Sequence, residues 1–126
     1  MSTIRVDNFG PSAGGTTYSA RGIAKAWVNF NGTGTIAVRG SENVSSLTDQ
    51  GTGITDVNYT SSLSSGNYSV SGTANDDTYY TDTLEPTSYL AGSIRLITYS
   101  RANSATGSSG REDLEFVNAS IHGDLA

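Results

Sequence analysis

The sequence contains no cysteine, only two prolines and few charged residues. Without cysteine the chain has no disulfide, no thiol nucleophile and no thiolate metal site. Charged residues reach 15% with a net charge of -5, and the seven lysines and arginines are scattered, so the basic patch of a nucleic-acid-binding protein is missing. No apolar run approaches the roughly 18 residues of a membrane span. We therefore expect no nucleic-acid partner and no membrane insertion, and a fold held by packing and hydrogen bonds.

Small and polar residues dominate what is present. Gly, Ser, Thr and Asn make up nearly half of the 126 residues, and seven Tyr, three Phe and one Trp are interleaved with Val and Ile. Short apolar alternations recur between Gly-, Asn- and Ser-rich turns, and no helical spacing persists. The pattern predicts one all-β domain, a sandwich or a barrel. Of the two we expect an antiparallel β-sandwich that is jelly-roll-like. The break at residues 10–16 divides the chain into an N-terminal arm or linker, 1–20, and a sandwich domain, 21–126.

The segment 23–30 has the strongest strand pattern in the chain. Val28 and Phe30 point to one side and Trp27 to the other, so apolar side chains fall on both faces. Such a strand is covered on both sides, and Trp27 packs either in the core of its own chain or against a neighbouring subunit. The following Asn31-Gly32 predicts a two-residue hairpin turn.

Other strands are predicted more weakly, with an irregular stretch before the last third of the chain. Pro86 excludes a central strand in the irregular segment 74–88, and the adjacent apolar residues Phe116 and Val117 predict a bulge in the final strand. Residues 101–111 form a loop rich in Ser, Gly and Ala. The predicted strands are 4–6, 35–39, 44–48, 54–60, 67–72, 92–99 and 113–122.

Catalytic patterns are weak. His122 is the only histidine, lies near the end of the sequence and is expected to be a solvated residue at a strand end, and no serine lies in a G-x-S-x-G elbow. Asp76, Asp77, Asp82 and Glu85 form the main carboxylate concentration, which favours a solvated loop over a calcium site because the spacing of calcium-binding loops is missing. We expect no enzyme, no cofactor and no metal.

An aromatic pair beside the acidic residues is a candidate binding site. Tyr79 and Tyr80 lie among Asp76, Asp77 and Asp82. Flat rings next to hydrogen-bonding groups suit glycan recognition, because sugar C–H faces stack on rings and hydroxyls meet carboxylates. The alternative is that one tyrosine packs inward while the other covers an edge strand.

Five segments resemble a known family. Residues 24–35 read AKAWVNFNGTGT, and 43–53, 57–60 and 67–72 continue the similarity, which extends loosely to 117–123. The chain is similar to the AKAWVNF-type domain at the C-terminal ends of tail fibre and related virion-surface proteins of bacteriophages.

The resemblance implies a β-sandwich that assembles as a homotrimer at the tip of a virion appendage, with Trp27, Val28 and Phe30 in the trimer packing. Its partners are then other virion proteins and a host-surface glycan or protein, its location is the virion assembled in the host cytoplasm, and its role is host attachment without catalysis. Family members usually end a longer polypeptide, whereas only about 20 residues precede the domain here. Capsid decoration through the arm Ser2–Ala20, and a free glycan-binding module, are the alternatives.

Overall fold

A computed structural model describes residues 2–3, 5–10, 13–76, 82–101 and 109–126. This part of the chain forms eleven strands and one 3-10 turn, Ala20–Gly22. The strands are β1 (Asn8–Phe9), β2 (Tyr18–Ser19), β3 (Ala26–Asn31), β4 (Ala37–Glu42), β5 (Val44–Gly51), β6 (Ile54–Tyr59), β7 (Ser69–Asn75), β8 (Thr83–Leu90), β9 (Ser93–Arg101), β10 (Ser109–Arg111) and β11 (Phe116–His122).

Two antiparallel sheets share the hydrophobic core, which confirms the prediction of an all-β protein and is consistent with a β-sandwich. One sheet has the order β4-β3-β11-β7, with β3 and β11 in its centre. The other places β9 between β8 on one edge and β6, followed by β5, on the other. Because Tyr99 of β9 pairs with both β8 and β10, β10 lies on the β6 side of β9. The strands β1 and β2 pair in a separate ribbon.

The core lies between the inner faces of the two sheets. Alternation along β3, β6 and β11 sends every second side chain inward, as period-two patterning requires. In β6 this places Val57 inside and Asp56 outside, as the sequence predicted. The largest fully buried side chains are those of Val28, Phe30, Val57, Leu63, Ile94, Leu96, Leu114, Val117 and Ile121.

The hairpin between β3 and β4 exists, but its predicted two-residue turn is wrong. Asn31 belongs to β3, and the connection runs over residues 32–36. The Asn31 Oδ1 atom accepts hydrogen bonds from the backbone N of Thr33 at 3.0 Å and from its Oγ1 at 2.8 Å. Gly34 supplies the left-handed backbone, with φ of 62°. The asparagine therefore forms an Asx-turn, which needs a longer loop than a type I′ turn.

The predicted bulge in the final strand is also wrong. Residues 116–122 pair in unbroken register with both neighbouring strands. The register shift occurs instead between Asn29 and Phe30, where β3 pairs with β4. Phe116 points outward and Val117 inward, while the third apolar residue, Leu114, is buried before the strand begins.

Two further sequence expectations need adjustment. The segment 74–88 is expected to be irregular, yet residues 74–75 belong to β7 and residues 83–88 to β8, while residues 77–81 lie outside the described part of the chain. Pro86 lies within β8, and β8 is an edge strand, as a proline requires. Near the N-terminus the strand is Asn8–Phe9 rather than 4–6, of which Ile4 lies outside the described residues.

Candidate functional site

Trp27 lies on the outer face of the four-stranded sheet. The neighbouring side chains of β3 point inward, whereas Trp27 is 43% exposed. It stands opposite Ser120 of β11 and Glu42 of β4. Trp27 is therefore not a core residue of its own chain, which excludes the first of the two packing alternatives given by the sequence.

Val28 and Phe30, predicted with Trp27 to pack a trimer, face the other way. Each is 1% exposed and lies in the core of its own chain. Of the three residues, Trp27 alone is available on the surface of the sheet.

A glycine on the adjacent strand determines how the indole lies. A Cβ atom built on Gly40 would come within 3.2 Å of Cη2 and 3.4 Å of Cζ3 of Trp27. The Cζ3–Cη2 edge of the six-membered ring therefore lies next to the space that a side chain of Gly40 would occupy. The indole leans from β3 toward β4, and a side chain larger than hydrogen at position 40 would press against it.

Beside the indole, amides and hydroxyls meet across three strands. Asn29 of β3 pairs with Asn118 of β11, which pairs with Thr73 of β7. The Asn118 Nδ2 atom donates a hydrogen bond to Thr73 Oγ1 at 2.9 Å. The Asn29 Oδ1 atom is shielded from solvent and has no hydrogen-bond partner in the described part of the chain. An unsatisfied buried acceptor of this kind costs about 1–3 kcal/mol.

These groups line a shallow depression of about 590 Å³, which we name the Trp27 groove. The side chains that face outward in its lining are one aromatic ring and five neutral hydrogen-bonding groups: Trp27, Asn29, Ser71, Thr73, Asn118 and Ser120. Gly72 and the core residues Val28 and Ala119 complete the lining. A surface of this kind offers a flat apolar contact together with donors and acceptors, and it carries no charge of its own. Chemically it suits a neutral ligand with many hydroxyl groups.

Ser120 and His122 are hydrogen-bonded to each other at the end of the groove. The Ser120 Oγ atom lies 3.0 Å from His122 Nε2, and the His122 Nδ1 atom lies 3.3 Å from the carbonyl oxygen of Gly22. With Nδ1–H donating to that carbonyl, Nε2 accepts from the serine hydroxyl. This orientation is the starting point of nucleophilic catalysis, which also needs donors for an oxyanion. Ser120 lies on a central strand, paired on both sides, so its own N–H is committed to the sheet.

The second exposed aromatic on this face has a different environment. Phe116 is 40% exposed, and the guanidinium carbon of Arg39 lies 4.5 Å from the centre of its ring. Arg39 also contacts Glu115 across 3.5 Å. Phe116 is thus partly covered by a cation, whereas Trp27 offers its ring beside neutral groups.

The outer face of the other sheet is a satisfied polar surface. Arg95 donates to both carboxylate oxygens of Asp56, at 2.6 and 2.9 Å, and Gln50 donates to the same carboxylate at 2.9 Å. The hydrogen bonds from Arg95 hold the pKa of Asp56 below its ordinary value. This arrangement stabilises the sheet and leaves no open side-chain acceptor at Asp56 comparable to Asn29 Oδ1.

The acidic and aromatic loop predicted as a glycan site is only partly described. Asp77, Tyr79 and Tyr80 lie outside the described residues. Asp76 directly follows β7, and Asp82 directly precedes β8. Both Asp82 carboxylate oxygens are shielded from solvent without a hydrogen-bond partner among the described residues. The described part of the chain contains no cluster of three or more His, Asp or Glu that would hold a metal ion.

Sequence reasoning found Trp27 and missed the rest of the groove. Asn29, Thr73, Asn118 and Ser120 are common residues in a chain rich in Asn, Ser and Thr. Only the pairing of β3, β11 and β7 brings them to one place. The only signal for these residues in the sequence is that polar positions alternate with apolar positions in the segments 26–31 and 116–122, which places the polar side chains on the outer face.

Comparisons of the chain with family models, with curated proteins and with solved structures found no match. Among the residues described, no helix has the length and apolar character needed to cross a membrane.

Proposed function

We propose that this chain is a non-enzymatic attachment domain on the surface of a bacteriophage virion, placed at a tail fibre or receptor-binding tip that contacts the host. The similarity of residues 24–35 to the AKAWVNF-type domain supports this assignment. The structure divides the same segment into two roles. Val28 and Phe30 build the core, whereas Trp27 and Asn29 face outward.

The observation that carries the proposal is the exposure of Trp27. A large aromatic side chain that is 43% exposed on a sheet face contributes only part of its burial energy to folding. Exposed tryptophans set among polar groups are frequent in recognition surfaces, where they act as anchors. The neutral lining of the groove favours recognition over acid–base chemistry.

Immunogold electron microscopy of phage particles, with antiserum raised against the purified chain, tests the location. Gold at the tail supports attachment. Gold distributed over the capsid supports the second candidate, and particles without gold contradict both. A control serum raised against an unrelated β-sandwich protein sets the background.

Capsid decoration is the second candidate because the N-terminal region forms its own element. Within the described residues β1 and β2 pair only with each other, and the backbone N of Ala20 donates to the backbone carbonyl oxygen of Asp7 at 2.9 Å. A ribbon that belongs to neither sheet is suited to grip a shell while the two sheets project from it. Removal of residues 2–19 is expected to abolish capsid labelling if this candidate holds, and to leave tail labelling unchanged otherwise.

The homotrimer implied by the resemblance and the jelly-roll-like connectivity expected from the sequence stay part of the proposal. Sedimentation equilibrium at micromolar concentration measures the mass directly. The expected value is three times the 13.1 kDa of one chain. A monomer mass contradicts the trimer.

A further inference from the structure

We infer that the Trp27 groove is a binding site for a neutral saccharide, an inference that rests on the proposed role in host attachment and names the class of ligand. This location differs from the acidic loop that the sequence favoured. In the described structure the indole of Trp27 and the hydrogen-bonding side chains lie together on the outer face of the four-stranded sheet.

The indole provides the apolar contact. Its six-membered ring contacts Gly40 through the Cζ3–Cη2 edge, and the side chain is 43% exposed, so part of the ring surface is open to a ligand. The C–H side of a pyranose ring is flat and weakly apolar, and it stacks on such a face. No other groove residue is aromatic.

The amides and hydroxyls provide the polar contacts. Asn118 is oriented by its bond to Thr73, and Ser71 and Ser120 add hydroxyls on the neighbouring positions. Asn29, also in the lining, has a side-chain acceptor with no partner in the described structure. Saccharide hydroxyls both donate and accept, so they match a mixed set of this kind.

Charge selects a neutral ligand. The groove is lined by uncharged side chains, and the chain carries a net charge of -5. Glu42 stands opposite Trp27 on β4. An anionic polysaccharide would meet repulsion here without a cation to pair with among the groove residues.

Composition also argues against a second copy of the chain as the occupant. Stable subunit interfaces are more apolar than the general surface and bury several apolar side chains together. Because Val28 and Ala119 of the lining are buried in the core, Trp27 is the one apolar side chain that the groove exposes, beside five polar ones. Phe116 lies four residues from Ser120 along β11, about 13 Å from the position opposite Trp27 at the usual rise of a strand.

The chain carries a built-in probe, because Trp27 is its only tryptophan. We would titrate the full chain with maltohexaose, mannohexaose, the N-acetylglucosamine hexamer and the neutral polysaccharide released from host cells, and follow tryptophan emission. At least one ligand is expected to give a saturable change. The inference is overturned if none does, or if only anionic polysaccharides in a parallel series bind.

Variants separate the groove from the rest of the face. Isothermal calorimetry with the best ligand should show at least about a tenfold loss of affinity for Trp27→Ala and for Asn118→Ala. Gly40→Val keeps the tryptophan but displaces the ring, and should weaken binding as well. Phe116→Ala removes the other exposed aromatic and is the matched control, expected to bind as the parent does.

Sedimentation of the same variants distinguishes the two proposals. An unchanged mass for Trp27→Ala together with lost binding supports the saccharide site. A lower mass shows that a second copy covers the groove and overturns the inference, while gold at the tail would still uphold the attachment role. Particles without gold, combined with a functional groove, would instead leave a glycan-binding protein outside the virion.

Discussion

Replacement of Asn43 tests how the two sheets are joined. Asn43 is the single residue between β4 of one sheet and β5 of the other, and its φ of 56° is left-handed. Its Nδ2 donates to the carbonyl oxygens of Lys25 and Ser61, each at 3.0 Å. Its Oδ1 accepts from the backbone N of Ser61 at 2.7 Å. The side chain thus holds the sheet corner through three hydrogen bonds.

The magnitude for Asn43→Ala follows from these contacts. Three net hydrogen bonds at about 0.5–1.5 kcal/mol each, plus about 1–2 kcal/mol for alanine in the left-handed region, give a loss of about 3–6 kcal/mol. Asn43→Gly loses the same hydrogen bonds without the backbone strain. After allowance for the entropy of glycine it should be about 0.5–1 kcal/mol more stable than the alanine variant.

Urea unfolding followed by circular dichroism measures both free energies of unfolding. A total of about 5–15 kcal/mol is typical of a domain, so the alanine variant should show a large shift of its midpoint. If Asn43→Ala lost less than about 1 kcal/mol, the corner hydrogen bonds would have little net value and the reasoning would be refuted. A glycine variant less stable than alanine would refute the backbone part alone.

Three further predictions concern the core and the ionisable groups. Phe30→Ala should lower the free energy of unfolding by about 3–5 kcal/mol, because Phe30 is fully buried, whereas Trp27→Ala in the same strand should cost clearly less; equal losses in urea would contradict the assigned faces. The lowered pKa of Asp56 means that its stabilising bond with Arg95 is present above the ordinary pKa of 3.8 and is lost as pH falls, so Asp56→Asn should flatten the acid side of the stability curve in thermal melts. Burial raises the pKa of Tyr59 above its ordinary 10.0, so stability should fall above that pH as the unfolded chain ionises, and Tyr59→Phe should reduce this fall; a parent and variant with the same alkaline melting curve would contradict the burial argument.

Local alternation was enough to predict much of the fold. In β6 and β9 the positions of Val57, Ile94 and Leu96 follow directly from period two, because a strand exposes one face and buries the other. Pro86 likewise limits its strand to an edge, since it has no N–H to donate. These features depend on neighbours within one strand, which the sequence contains.

Features that depend on particular side-chain contacts or on strand register, rather than on alternation, were not predictable. The turn after β3 depends on whether the Asn31 side chain bonds to Thr33 or to solvent, and the same sequence is compatible with both. Arg39 is the extra residue of the bulge in β4, and its guanidinium donates to the carbonyl oxygen of Glu115, which is far away in the sequence. The groove requires the register of β3, β11 and β7, which no local pattern contains.

Three departures from the rules of stable folding coincide at the Trp27 groove. Threonine or valine would suit an exposed strand position equally well, yet position 27 holds the only tryptophan of the chain. Gly40 within β4 weakens a strand by about 0.5–1 kcal/mol relative to alanine, and the edge of the indole lies next to its vacant side-chain position. Asn29 keeps a shielded oxygen without a partner in the described structure. Stability explains none of these alone, and since local rules are most often broken where a surface must recognise something, their coincidence in one patch favours a ligand there.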